Sequence, residues 1–182
     1  MSAIGDSAGD RPDRTAPADA ETLFRRLDAL GIVHRTHRHP PVFTVEESKT
    51  LRGVLPGAHV KNLFLRDKKK RTWLLTALEE RRIDLKALKR RLGASGSLSF
   101  GSAELLMEVL GVTPGSVTPF GVINDTGGRA RVLLDQGLLG DAPVNAHPLR
   151  NDMTTTIAPQ DLLAFLEAEN HAPEILDFDA LD

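Results

Sequence analysis

Apolar side chains recur at intervals of three or four residues in several stretches of the chain, a spacing typical of amphipathic helices. Asp84 and Ser102 precede two of these stretches as potential N-caps, and a glycine closes each of the two. Thr44 and Glu47 have the spacing of a capping box. The pattern predicts helices over residues 21–30, 44–51, 84–92, 102–110 and 160–168.

Shorter runs rich in β-branched and aromatic residues predict strands. Residues 60–66 and 72–78 are joined by the charged segment 67–71, which is the pattern of a hairpin with a solvated tip, and residues 125–128 are a second hairpin signal. The predicted strands cover residues 32–37, 60–66, 72–78, 98–100, 122–124, 130–135, 144–147 and 153–157. Because strands and helices alternate and hairpins occur among them, we expect one α/β domain of α+β character with a mixed sheet.

The amino-acid composition agrees with one globular domain and excludes some kinds of site. The chain has 182 residues, of which 41% are hydrophobic and 26% charged, as in an ordinary globular domain. Residues 1–19 carry few large apolar groups and predict a disordered leader before a folded domain over 20–179. The chain has no cysteine, which excludes disulfides, thiolate metal sites and a cysteine nucleophile. Neither a membrane-length apolar run nor a signal peptide is present, so we expect a cytoplasmic protein without membrane contact.

The net charge of −2 conceals an uneven distribution. Residues 61–91 contain 12 basic and 4 acidic side chains, whereas residues 92–182 contain 3 and 13. A chain of this kind presents a basic surface to a polyanion while another surface stays acidic. A solubilising surface without a ligand is the other interpretation.

The sequence motifs of several familiar enzyme classes are missing. HExxH, the Walker loop and GxGxxG are all absent from the sequence. Strand alternation places His34 on the opposite face from His37 and His39, which argues against a metal site. Alternation also puts Lys61 on the face of Leu63 and Leu65, so that its ammonium either snorkels to solvent or contacts an anion or a carbonyl.

Five segments together resemble the YbaK/prolyl-tRNA-editing domain family, and within it the free-standing alanyl-tRNA(Pro) deacylases. They are Pro41-Val42-Phe43-Thr44, Lys61-Asn62-Leu63-Phe64-Leu65, Leu98 to Glu104, Gly115 to Pro119, and His147 to Asn151. The resemblance covers about residues 21–178. It implies a mixed, partly barrel-like sheet surrounded by helices, and a trans-editing hydrolase that cleaves the ester of mischarged Ala-tRNA(Pro) without a cofactor or metal.

The resemblance also implies roles for individual residues. The expected catalytic residues are Lys61, Gly115, Pro119 and His147. The expected substrate-binding residues are Thr44, Asn62, Ser116, Val117, Thr118 and Asn151. The charge distribution adds basic residues that we expect to contact tRNA phosphates, namely Lys68, Lys69, Lys70, Arg71, Lys86, Lys89 and Arg90. Because an aminoacyl ester is already activated, Lys61 would orient the substrate and stabilise charge, since a charged ammonium is a poor base.

Two alternatives stay open from the residues alone. A small editing pocket excludes proline by size but does not distinguish alanine from cysteine, so a deacylase of Cys-tRNA(Pro) or another small aminoacyl-tRNA is one alternative. A non-catalytic module that binds tRNA or a synthetase is the other. Beyond alanine-charged tRNA(Pro), the resemblance leaves prolyl-tRNA synthetase and an elongation factor as candidate partners. The Gly115–Pro119 loop and His147 also have plain structural interpretations, as a turn and as a strand-end histidine.

Overall fold

The computed structural model describes residues 16–41, 46, 49, 50 and 55–181. The first helix, α1 (Ala20–Ala29), begins where Asp19 accepts a hydrogen bond from the amide of Thr22. Ala18 is already buried, and its amide donates to the side chain of Asn124, so the packed chain begins within the predicted leader. Of the predicted helix at 44–51, only Glu46, Lys49 and Thr50 lie in the described residues, and they are helical.

Three further helices lie where the sequence predicts them: α2 (Leu85–Leu92), α3 (Ala103–Leu110) and α4 (Pro159–Ala168). The first two confirm the predicted caps. The carboxylate of Asp84 accepts from two amides of the first turn of α2, and the hydroxyl of Ser102 caps α3. Gly93 and Gly111 end these helices in the left-handed conformation that glycine adopts without steric cost. None of the helices in the described ranges is long and apolar enough to cross a membrane.

The described strands form one eight-stranded mixed sheet, which confirms the expected fold class. The strands are β1 (His34–Arg38), β2 (Ala58–Arg66), β3 (Thr72–Leu78), β4 (Ser99–Phe100), β5 (Ala130–Asp135), β6 (Val144–Ala146), β7 (Met153–Ile157) and β8 (Glu174–Leu176). Their order is β1-β7-β6-β2-β3-β5-β8, with β4 paired to β2. β2 and β3 form the predicted antiparallel hairpin, while β3–β5 and β5–β8 are parallel.

The alternation of side chains along β2 divides the core into two parts. Phe64 and Val60 belong to the larger core, which also contains residues of α1, α3 and α4. Leu63 and Leu65 belong to the smaller core, which packs beneath α2 around the buried Trp73. A side chain on β2 is therefore directed to one core or the other according to whether its number is even or odd.

Two predictions from the sequence require correction. Residues 122–124 are not a strand but part of a 3-10 helix, Pro119–Asn124. Thr118 accepts the amide of Phe120 at the start of this helix, and Pro119 occupies the first helical turn, where its missing N–H is no loss. Residues 125–128 therefore turn from this helix into β5 and do not form a hairpin. Strand β8 had no counterpart among the predicted strands.

Ion pairs and hydrogen bonds of buried side chains connect the residues that follow α4 to the rest of the domain. Arg26 of α1 forms an ion pair of 2.7 Å with Glu169, whose side chain is 2% exposed. The ring of His171 contacts two acceptors, with Nδ1 2.5 Å from the carbonyl oxygen of Glu169 and Nε2 2.9 Å from the Asp125 carboxylate. Burial by itself lowers the pKa of His171, but these two acceptors outweigh it and raise that pKa.

Candidate functional site

The segment Gly115–Pro119 connects α3 to the 3-10 helix in a defined conformation. Gly115 has a φ of +91°, a value that side-chain-bearing residues rarely adopt. The amide of Ser116 donates to the carbonyl of Thr113, which closes a turn beside it. Ser116 and Thr118 are buried, and Val117 packs against the larger core. The loop is therefore held by a main-chain hydrogen bond and by its buried side chains.

Thr118 connects this loop to His147. Its hydroxyl donates to the main-chain carbonyl of His147 at 2.6 Å and is completely buried. At the other end of the loop, a Cβ on Gly115 would lie 3.9 Å from the side-chain nitrogen of Asn151. The five-residue loop, the histidine and the asparagine therefore lie next to one another. We call Gly115–Pro119, His147 and Asn151 the loop–histidine cluster.

The hydrogen bonding of His147 determines which ring nitrogen carries the proton. Nδ1 lies 2.9 Å from the carbonyl oxygen of Met153, which can only accept, so Nδ1 is the protonated nitrogen. Burial lowers the pKa of His147, and the nearby ring of His39 adds to this effect. The ring is therefore neutral near pH 7, and its Nε2 carries a lone pair. Among the described residues, no hydrogen bond occupies that lone pair.

Two more histidines lie near His147, His37 in β1 and His39 just after the end of that strand. The ring centroids of His39 and His147 are 6.3 Å apart, and those of His37 and His39 are 6.2 Å apart. Nε2 of His39 is 2.9 Å from the hydroxyl oxygen of Thr154 on β7. His34 lies elsewhere, stacked on Phe24. In the part of the chain that the structure describes, no three metal-ligating side chains are grouped as a metal site.

Lys61 occupies the position on β2 that alternation predicts. Leu65 on the same face is fully buried, and the Lys61 side chain, itself half-buried, donates from Nζ to the main-chain carbonyl of Arg81. Arg81 is fixed in turn by the buried carboxylate of Asp135. Because Val117 packs with the even-numbered side of β2, Lys61 and the loop belong to opposite faces of this strand. Within the described residues no hydrogen bond joins Lys61 to the loop–histidine cluster.

Asn62 follows Lys61 and faces the other way. Its side-chain oxygen accepts a hydrogen bond of 2.7 Å from Thr76 on β3. On the strand edge opposite β3, pairing with β6 covers residues 58–59, and pairing with β4 resumes at Leu65. No described strand covers the edge between them, where the main chain of Asn62 lies. Thr44, which the resemblance also implicates, falls outside the described residues.

The basic residues expected to contact tRNA divide into three groups. Lys68, Lys69 and Lys70 are exposed at the β2–β3 hairpin tip. Arg71 is engaged within the protein, because its guanidinium pairs with Asp67 at 2.7 Å and donates to the carbonyl of Gly93. The remaining residues are Lys86, Lys89 and Arg90, which line a surface cavity beside α2. The tip and the cavity are therefore the places where a polyanion would meet free cations.

His39, Thr154 and the carbonyl of Met153 were not among the predicted site residues. All three approach His147 because β1 pairs with β7 in the register His37↔Thr154. The common face of His37 and His39 was the available signal, since it follows from strand alternation alone. Their contact with residues more than a hundred positions later depends on tertiary structure.

Comparisons with known proteins give one consistent result. The family model described as "Aminoacyl-tRNA editing domain" matches residues 39–165. The mouse "Prolyl-tRNA synthetase associated domain-containing protein 1" is 42% identical over 161 residues, covering 86% of this chain and 95% of the mouse protein. The "Prolyl-tRNA editing protein ProX" of Acetoanaerobium sticklandii is 36% identical over 152 residues, covering 83% of this chain and 92% of that protein.

The fold has also been observed experimentally in other proteins. A crystal structure provisionally described as a trans-editing enzyme for prolyl-tRNA synthetase superimposes with a TM-score of 0.67 at 22% sequence identity. The match covers 89% of this chain and 98% of that one. At this identity the likeness concerns the fold.

Proposed function

Because this chain belongs to the family of aminoacyl-tRNA editing domains, we propose that it is a trans-acting hydrolase that removes alanine from mischarged tRNA(Pro) in the cytoplasm. The observation that carries the proposal is the loop–histidine cluster, in which Thr118 holds the main chain of His147 against the Gly115–Pro119 loop. ProX of A. sticklandii, an editing protein by name, supports the same class of substrate.

The cluster suits ester hydrolysis. An aminoacyl ester needs a correctly placed water and stabilisation of the oxyanion that forms at its carbonyl. The water oxygen attacks the carbonyl carbon while Nε2 of His147 accepts a proton from that water. The bond from this carbon to the terminal ribose oxygen then breaks, and that oxygen takes up the proton from His147. The left-handed conformation of Gly115 lets main-chain groups of the loop approach the carbonyl closely.

Lys61 acts through its charge. One of its three N–H groups is used by the Arg81 carbonyl, which leaves two for the substrate. Because Lys61 lies across β2 from the loop, we assign it the 3′-terminal phosphate of the tRNA. The other contacts with the aminoacyl-adenosine end are assigned to the remaining polar and loop residues, Thr44, Asn62, Ser116, Val117, Thr118, Pro119 and Asn151.

Selection for alanine would follow from size, since proline is larger than the residue to be removed. Cysteine is close to alanine in size, so deacylation of Cys-tRNA(Pro) is the second candidate function. A binding module that delivers tRNA to prolyl-tRNA synthetase or an elongation factor is the candidate from another class. The name of the mouse relative, which refers to prolyl-tRNA synthetase, favours the synthetase among these partners.

Hydrolysis assays distinguish these functions. Purified protein is mixed with tRNA(Pro) charged with alanine, cysteine or proline, and the loss of each ester is followed. We expect alanine to be released fastest and proline to be spared. Lys61→Ala and His147→Gln should each reduce the rate by at least about a hundredfold, whereas Arg131→Ala, an exposed cation on β5, should not. Tight tRNA binding without hydrolysis of any ester would establish the binding module instead.

A further inference from the structure

A concave surface lies between α2 and the segment that follows it. The cavity has a volume of about 560 Å³. Three of its lining residues, Lys86, Lys89 and Arg90, lie within about one turn of α2 and share a face of that helix. Leu85, Ser97 and Leu98 complete the lining. Two apolar walls, a hydroxyl and three cations therefore surround one depression.

The positive charge of this cavity is not neutralised internally. Other arginines of the same basic segment are engaged by carboxylates, since Arg71 pairs with Asp67, Arg81 with Asp135 and Arg91 with Glu174, at 2.7 to 3.0 Å. Within the described residues, none of the three cavity cations forms such a pair. The carboxylate of Asp84, the acidic group nearest in sequence, is occupied by the amides at the start of α2. An anionic ligand would balance the charge of these three cations.

The segment that leads into the cavity from the end of α2 is bonded to the hairpin tip. The amide of Lys68 donates to the carbonyl of Ser95 at 2.8 Å, and the amide of Ser95 donates to the carboxylate of Asp67. Gly96 lies so close that a Cβ on it would be 2.9 Å from Cβ of Lys68. The hairpin tip is therefore in direct contact with Ser95 and Gly96, which precede Ser97 in the chain. The exposed lysines of the hairpin tip are therefore neighbours of the cavity, and together they form one basic region of the surface.

We infer that this cavity binds a backbone phosphate of tRNA, with the adjoining ribose against Leu85 and Leu98. The choice of tRNA as the nucleic acid rests on the proposed function. Lys and Arg side chains supply the electrostatic part of such binding, and apolar side chains suit the sugar. Contacts of this type hold the register of the duplex without reading its sequence. The cavity therefore anchors the acceptor arm while the loop–histidine cluster holds the aminoacyl end.

The test measures how tRNA affinity depends on salt. Lys86, Lys89 and Arg90 are replaced together by glutamine, which retains helix propensity and removes three charges. The charge-matched control replaces Arg25, Arg35 and Arg131, exposed cations outside the cavity, by glutamine. For uncharged tRNA(Pro), we expect the slope of log Kd against log salt to fall by about one in the cavity variant, because one phosphate contact is lost, and by less than about one half in the control. At about 0.1 M salt, the Kd of the cavity variant for this tRNA should be at least about tenfold higher than that of the wild type.

A charge-preserving variant separates loss of charge from loss of folding. Lys86→Arg, Lys89→Arg and Arg90→Lys together should retain the slope of the wild type. Equal slopes for the cavity variant and its control would overturn the inference, as would a loss of slope in the charge-preserving variant. If the wild type hydrolyses no ester but its tRNA affinity shows the expected slopes, the proposed function fails and the phosphate site stands. If hydrolysis is retained and the slopes do not differ, the phosphate site fails alone.

Discussion

Replacing Thr118 by valine tests whether the Gly115–Pro119 loop positions His147. Valine has almost the same shape as threonine but lacks the hydroxyl. In the native protein this hydroxyl donates to the carbonyl of His147 at 2.6 Å and accepts the amide of Phe120 at 3.3 Å. The substitution therefore removes the bond between loop and histidine with little change in packing volume.

The stability cost follows from burial. Thr118 is completely buried, so water cannot replace the missing hydroxyl. A buried polar group left without a partner costs about 1–3 kcal/mol, and the longer contact with Phe120 contributes the smaller share. We expect a total loss of about 2–3 kcal/mol. For a domain of this size, about 2–4 °C in Tm accompanies each kcal/mol, so Tm should fall by roughly 4–12 °C.

Two measurements check this prediction, with Thr118→Ser as the matched control. Serine keeps the hydroxyl and loses one buried methyl group, at a cost of about 1 kcal/mol. Circular dichroism gives Tm, and single-turnover hydrolysis of Ala-tRNA(Pro) gives the rate of the chemical step at a temperature where both variants are folded. We expect valine to reduce this rate at least about tenfold and serine to retain it. If the valine variant matches the serine variant in both Tm and rate, Thr118 does not position His147.

Two further substitutions test the geometry of the loop and the buried charges. Gly115→Ala should destabilise the protein by about 1–2 kcal/mol through backbone strain, because φ is +91° while the nearest atom to an added Cβ, the side-chain nitrogen of Asn151, would lie at 3.9 Å, an ordinary contact distance. Gly127→Ala, with open space around a Cβ and no positive φ, is the control, and denaturant unfolding measures both variants. For His171, the raised pKa means that its stabilising contribution is complete below the unfolded value of about 6.5 and is lost as pH rises through the folded value. The stability advantage of the wild type over His171→Gln should therefore be larger at pH 5.5 than at pH 9, as measured by urea unfolding at both pH values. A constant difference would show that folding does not raise the pKa of this ring.

Local signals allowed much of the fold to be predicted. Helices α2 and α3 each have a capping side chain and a closing glycine in the sequence, and these interactions involve residues no more than a few positions apart. The β2–β3 hairpin was predictable for the same reason. Strand β8 has three residues and pairs in parallel with β5, about forty positions earlier, so no local pattern distinguishes it. Residues 122–124 were predicted as a strand because apolar residues preceded a turn signal, and the cap at Thr118 favoured the 3-10 helix.

The candidate site was predictable as a set of segments, but its contacts were not. Alternation gave the face of β2 on which Lys61 lies, since this depends on strand geometry alone. Its hydrogen bond to Arg81 depends on the path of the main chain after β3. The charge count likewise identified a basic segment, yet the engagement of Arg71 by Asp67 depends on the folded hairpin tip. Contacts of this kind depend on tertiary structure, which no local pattern in the sequence encodes.

The pairing of β1 with β7 bears on when the protein becomes competent during its synthesis. His39 and Thr154 are 115 positions apart, and the ribosome makes one long before the other. Until β7 emerges, β1 lacks the strand partner it has in the fold, and closing so long a loop carries an entropic cost that slows folding. His147 also receives its carbonyl partner from Met153, the first residue of β7. The nascent chain therefore completes the surroundings of this histidine only after β7 has been synthesised, more than a hundred residues after β1.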